Sequence, residues 1–196
     1  MEVSEAIYKR RSVRKFEAKQ VHREDLEQLI NYARLAPSGM NKQPLEFVVV
    51  DDPKMERELF DYTSWAGAVD WTPAPDERPR AYIAILINPE VDPATEEHDA
   101  GLASANICLG AVEKGLGSCI LGALEREPIK DMLDIPDHLK LDLVIGLGYP
   151  DQEIEVESES DRIDYWWDDD GVFHVPKKPV KKIMHLNGWN SPGGAQ

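Results

Sequence analysis

The sequence predicts an α+β fold built around one core. Short apolar runs that suit strands are interleaved with stretches of helical periodicity, yet no regular strand–helix–strand rhythm develops. The 196 residues, 42% of them hydrophobic, can bury one sizeable core and are short for two. No segment repeats. A single domain over 1–196 is therefore expected, with an acidic insert at 151–170 and a C-terminal arm at 175–196.

Each element has its own signal, beginning with Ser4, which can cap a short helix that carries Ile7, runs into the basic stretch Lys9-Arg10-Arg11-Ser12-Val13-Arg14-Lys15 and ends before Phe16. Residues 23–36 place Leu26, Leu29, Ile30, Ala33 and Ala36 at three and four spacing, an amphipathic helix stopped by Pro37. A loop rich in turn formers follows over 37–44. Branched and aromatic content makes 45–50 a strand, closed by Asp51-Asp52-Pro53, and 54–62 reads as helix. Residues 63–80, with Trp65, Trp71 and three prolines, are irregular; the two tryptophans either roof a pocket for an aromatic acceptor or pack a surface loop.

The second half opens with a buried strand at 81–87. A long helix at 97–114 crowds Ala100, Gly101, Ala103, Ser104, Ala105, Gly110 and Ala111 around larger apolar side chains and ends at Gly115. Small residues admit a close neighbour, and apolar character on nearly every face means burial, so this is the expected central helix at a subunit interface. Residues 117–121 form a short strand, Pro128 sits where a helix start tolerates it, and 141–147 is an inner strand.

Charge narrows the function. The net charge is -15, and residues 151–170 alone hold ten acidic residues against one arginine. Such a field disfavours nucleic acid, and one basic cluster is too small for a phosphate-tracking stripe. No run approaches the ~20 apolar residues of a membrane span, and the acidic start Met1-Glu2-Val3-Ser4-Glu5 resembles no leader, so a cytoplasmic protein is expected. Cys108 and Cys119 have neither disulfide-framework nor zinc spacing and read as core thiols, and the five histidines form no metal pair, so no metal is expected. Within the insert, Tyr165-Trp166-Trp167 reads as an anchor for an otherwise solvated arm, and the alternation Glu153, Glu155, Glu157, Glu159 as a solvated edge or mobile segment.

No glycine-rich phosphate cradle occurs, so side-chain cations would have to hold any nucleotide phosphate. The basic cluster can do this, because Arg10 and Arg14 are one helical turn apart and Ser12 adds a hydroxyl. On its own the same cluster also suits a solvated face or a helix end complementing its dipole.

Five blocks in order resolve the choice: "RRSVRKF" at 10–16, "LAPSGMNKQP" at 35–44, "GLGSCILGAL" at 115–124, "IGLGYP" at 145–150 and "PKKPVKKIMHLNGW" at 176–189. Together they resemble the FMN-dependent nitroreductase family. The resemblance implies a nitroreductase-like fold, a central mixed or antiparallel sheet flanked by helices, and a homodimer with exchanged tails and FMN at the interface. By that match Arg10, Arg11, Ser12 and Arg14 hold the ribityl phosphate and approach the ring edge. Pro37, Ser38 and Asn41 come from the partner chain to lie against the flavin. Ile120, Leu121 and Gly122 supply backbone facing the isoalloxazine, and Lys177 and Lys178 complete the phosphate clamp. No catalytic acid or base is implied, since the hydride chemistry belongs to the cofactor.

The implied activity is ping-pong hydride transfer from NADH or NADPH through FMN to a nitroaromatic, quinone or similar acceptor. A flavin-binding relative with one specialised reduction or an FMN-handling role is the alternative, and an acidic interaction module without cofactor the third reading. Leu45 stands where the family often has tryptophan, and 60–80 offers no clear counterpart to its mid-chain polar ligands.

Overall fold

The two longest apolar runs become neighbouring strands in the middle of a sheet, where both faces are covered and every side chain can be apolar. The computed structural model describes residues 1–67, 69, 71–91, 96–158, 160 and 162–189. It divides into two units, one of Met1–Trp65 with Trp71–Asp151, the other of the described residues within 66–70 and 152–196.

In the first unit the helices are α1 (Val3–Lys9), α2 (Arg23–Ala33), α3 (Pro53–Asp61), α4 (Glu96–Glu113) and α5 (Arg126–Met132), and the strands β1 (Leu45–Val50), β2 (Ala81–Ile87), β3 (Gly117–Leu121) and β4 (Lys140–Gly148). The sheet is antiparallel throughout, in the order β1-β2-β4-β3. All seven residues of β2 are buried, whereas edge strand β1 exposes Glu46 and Val49. Leu26, Leu29 and Ala33 of α2 meet Ala100, Ala103, Ile107 and Ala111 of α4 over Ile83, Ile85, Ile145 and Leu147 of the sheet.

The small residues of α4 serve two faces. A side chain at Gly110 would collide with the Tyr32 ring, so this glycine is where α2 comes close. On another face Gly101, Leu102 and Ala105 are exposed, Leu102 by 45%.

Three local expectations change. Helix α1 is capped by Glu2, with Ser4 inside it, and stops at Lys9, so the basic stretch is not helical beyond that residue. Arg10 turns to φ -58, ψ 126 and the chain continues extended. Helix α2 ends at Ala33, three residues early, because the amides of Leu35 and Ala36 bond back three residues in tight turns ahead of Pro37. Trp65 is buried, stacked on Phe60 at 5.7 Å with its indole N–H donated to Thr63, so it packs the loop.

The second unit is a three-stranded sheet, β5 (Ile154–Glu157), β6 (Trp166–Trp167) and β7 (Phe173–Pro176), in the order β5-β7-β6, followed by α6 (Val180–Ile183). β7 runs parallel to β5 and antiparallel to β6. Glu155 and Glu157 of the acidic alternation thus lie on an edge strand, Glu153 precedes it, and Glu159 lies outside the described residues. The aromatic triplet is an anchor: Tyr165 and Trp167 hold the buried Phe173 at 5.2 and 4.7 Å between ring centres. Among the described residues no helix is long and apolar enough to cross a membrane.

Candidate functional site

The extended segment 10–16 is pinned to the sheet at Ser12, Val13 and Phe16. The Val13 amide donates to the Ser118 carbonyl at 2.9 Å, Ser12 bridges Ser118 in parallel, and Phe16 bridges Pro150. Val13 and Phe16 are buried, and two glycines make room for them. A β-carbon at Gly117 would lie 2.8 Å from Val13, and one at Gly148 2.8 Å from Phe16. Val13 and Phe16, three residues apart, are both inward, so the segment does not alternate strictly; Ser12 and Arg14 flank the buried Val13 on an extended chain rather than on the helical turn that the spacing suggested.

Arg10 and Arg14 are half-buried and Ser12 is exposed. The Arg14 guanidinium donates to the Ser12 carbonyl at 3.1 Å, and that of Arg11 to the Arg10 carbonyl at 2.7 Å. Arg11 has its Nε buried with no hydrogen-bond partner among the described residues, and burial, then the neighbouring Arg10 charge, lowers its pKa. A guanidinium in that state gains from an added anion. The thiols beneath are inert: Cys108 and Cys119 are free and buried, and desolvation pushes Cys119 up to about 11 against the smaller pull of Arg14.

β3 forms an edge of the sheet. Because the Ser118 carbonyl points outward to Val13, the alternation of a strand turns the main-chain groups of Ile120 outward as well. Ile120 is 44% exposed, Leu121 is buried, and Gly122 is exposed with its carbonyl accepting from Arg126 at 3.2 Å. The structure therefore brings Arg10, Arg11, Ser12 and Arg14 to the same strand that presents Ile120, Leu121 and Gly122.

Pro37, Ser38 and Asn41 lie elsewhere in the chain. Their loop leads into β1, the opposite edge of the sheet, three strand spacings or roughly 14 Å from β3. It is held by Asp99 of α4, a 3% exposed carboxylate that accepts from the Gly39 amide at 3.2 Å. The Ser38 hydroxyl accepts from the Gln43 amide at 3.1 Å, while Met40, Asn41 and Gln43 adopt positive φ. Pro37, Ser38, Leu45, Phe47 and Asp99 line a cavity of about 200 Å³ there. Asp99 escaped the sequence reading, although an acid at the head of a small-residue helix was its visible mark.

In the second unit, Lys177 and Lys178 are exposed just after β7; the Lys177 amide donates to the Glu157 carbonyl at 2.9 Å and its carbonyl accepts from Ser160. His174 on β7 stands 2.7 Å from Glu157 through Nδ1 and 3.0 Å from Asp168 through Nε2, and Trp166 stacks on it at 4.9 Å. Its pKa is raised, by the Asp168 hydrogen bond and then that of Glu157.

A sequence model described as the nitroreductase family matches residues 7–149. A protein of Archaeoglobus fulgidus provisionally named NADH dehydrogenase/NAD(P)H nitroreductase is 32% identical over 167 residues, covering 80% of this chain and 90% of its own. The iodotyrosine deiodinase of Thermotoga neapolitana is 28% identical over 160 residues, covering 73% and 86%. Among solved structures, a nitroreductase family protein from Clostridium novyi NT superposes with a TM-score of 0.67 at 31% identity, covering 76% of this chain and 87% of its own. An FMN-dependent nitroreductase of Clostridium difficile shares the fold, with a TM-score of 0.69 over 94% of this chain and 98% of its own at 24% identity.

Proposed function

Since this chain belongs to the nitroreductase family, we propose that it is an FMN-dependent oxidoreductase that takes a hydride from NADH or NADPH and passes it to a nitroaromatic, a quinone or a similar electron-poor acceptor. One observation carries the reading: the segment that bears Arg10, Arg11, Ser12 and Arg14 is docked through Ser12 and Val13 on the edge strand whose next outward main-chain groups belong to Ile120. The donor set fits FMN. A phosphate dianion matches guanidinium and hydroxyl donors worth about 1.5–3 kcal/mol per charge-assisted bond, and Arg11 Nε already lies buried without an acceptor among the described residues. FMN, when bound, supplies the hydride acceptance and delivery, by ping-pong turnover at one open face.

The chain's own residues bind and orient. Arg10, Arg11, Ser12 and Arg14 hold the phosphate with Lys177 and Lys178, and the outward amide at Ile120 offers a donor to the ring edge, with Leu121 and Gly122 shaping the strand end. Pro37, Ser38 and Asn41 of the partner subunit lie against the ring, which the position of their loop at the far sheet edge supports. A homodimer is also supported by the uncovered α4 face and by Val180, Ile183, Met184, Leu186 and Trp189, which leave an apolar tail for a second copy to cover. The 1–196 chain then works as one nitroreductase-like domain with an acidic insert and an exchanged arm.

The absorbance spectrum of the purified protein, before and after anaerobic NADH, tests this reading. A flavin band that bleaches on reduction is expected; a colourless protein that takes up no FMN would overturn it. The name of the Thermotoga relative favours keeping a second reading, one specialised reduction in place of general nitroreductase activity. Bleaching by nicotinamide without turnover of a nitroaromatic and quinone panel would favour it.

A further inference from the structure

Arg57, Arg78 and Arg80 line a cavity of about 240 Å³ with Gln20 and Glu56, where α3 faces the chain entering β2. Three guanidiniums against one carboxylate make this a positive hollow in a protein of net charge -15. Surface arginines usually find carboxylates, and these do so poorly. Arg57 makes no close ion pair among the described residues, and its charge acts only weakly on Asp52 at the head of α3. Arg78 approaches Asp61 only to 3.8 Å and stacks over Phe60 at 4.1 Å, while its Nε is buried without an acceptor among the described residues. Arg80 donates to two carbonyls, Glu17 at 3.2 Å and Asp76 at 2.6 Å, which positions its guanidinium within electrostatic reach of Glu56.

The carboxylate in the wall is already engaged elsewhere. Glu56, only 5% exposed, accepts from Gln20 at 2.9 Å, and Gln20 also bonds the carbonyls of Asp51 and Arg80. A second buried group is left over. The Tyr82 hydroxyl, fully buried, has no hydrogen-bond partner among the described residues and lies within electrostatic reach of Glu56, Arg78, Arg80 and Asp61. A positive cluster with two orphaned buried donors, pre-shaped by a crosslinking glutamine, lacks an acceptor-rich anion.

We propose that the hollow framed by Arg57, Arg78 and Arg80 is a second anion site that takes a phosphate group, either inorganic phosphate or the end of a small phosphomonoester. Phosphate offers acceptor oxygens in several directions, which suits forks arriving from a helix and a loop, and its double charge balances the excess of cations over Glu56. None of the hollow's residues belongs to the proposed flavin site, so occupation braces α3 against the start of β2 without displacing FMN.

The test titrates the FMN-loaded full chain with inorganic phosphate and, separately, with glycerol 3-phosphate. Heat is followed by calorimetry and the arginine Nε–H signals by nitrogen-15 NMR. One saturable site per chain is expected, with the Arg78 Nε–H resonance shifted downfield. Arg57→Ala, an exposed helix position that should not disturb folding, weakens binding about tenfold while flavin content stays constant. Tighter binding of the ester identifies a phosphomonoester as the ligand, and equal binding points to inorganic phosphate; both support the site. No saturable binding at millimolar phosphate, or binding indifferent to Arg57→Ala, overturns it.

Discussion

Arg14 sits where an extended chain, a buried thiol and a strand edge meet, and its guanidinium already leans on the Ser12 carbonyl. Replacing it with alanine removes a charged donor without emptying the core, so flavin affinity should fall about tenfold or more, read by fluorescence titration of the apoprotein with FMN. Melting of the apoprotein should scarcely change. At His174 both ring nitrogens face carboxylates, an arrangement that favours the doubly protonated ring. Glu155, opposite it on β5, adds a third carboxylate, and Arg162 lies over the Trp166 ring at 4.0 Å. The histidine pKa is raised above its ordinary 6.5, so its contribution is fully present below that value and is lost as pH rises through the folded pKa. Asp168, lowered by the same bond, contributes above its ordinary 3.8 and loses its share as pH falls through its own folded value. Hydrogen-exchange protection of β7 should therefore decline on the alkaline side, and His174→Gln should flatten that decline.

At the scale of elements, the basic segment shows why spacing alone misassigns geometry. Four residues apart means neighbours on one face of a helix, whereas along an extended chain the same spacing separates Arg10 and Arg14 by roughly 13 Å. What chose the second was long-range: Val13 and Phe16 find vacant ground at Gly117 and Gly148, more than a hundred residues away. Gly148→Ala should press a β-carbon against Phe16 and cost about 1–3 kcal/mol, with lower melting temperature and poorer flavin retention together. A variant that melts like the parent and keeps its flavin would show that the segment is not held in this way. Elements with dense local signals were legible: β1 and β2 lie where branched and apolar runs put them, and α4 within a residue of its expected span. Asp99 was not legible as an anchor, because only the folded loop reveals which amide it holds.

For the molecule as a whole, the proposed site needs both sheet edges, and one chain keeps them three strands apart. Leu102→Asp, on the exposed face of α4, should break the homodimer and release flavin in the same step, as light scattering and absorbance would report. A variant that is still dimeric with full flavin would place the interface elsewhere. Local pattern and composition determined the α+β class, the buried pair of central strands, the small-residue helix and the basic cluster, since each depends on neighbours within a few residues. Tertiary structure decided the rest. It set the basic segment straight against β3, assigned Asp99 to the loop, folded the acidic stretch into an edge strand around Phe173 and gathered Arg57, Arg78 and Arg80 into one hollow. These outcomes rest on contacts between residues distant along the chain, which periodicity cannot encode.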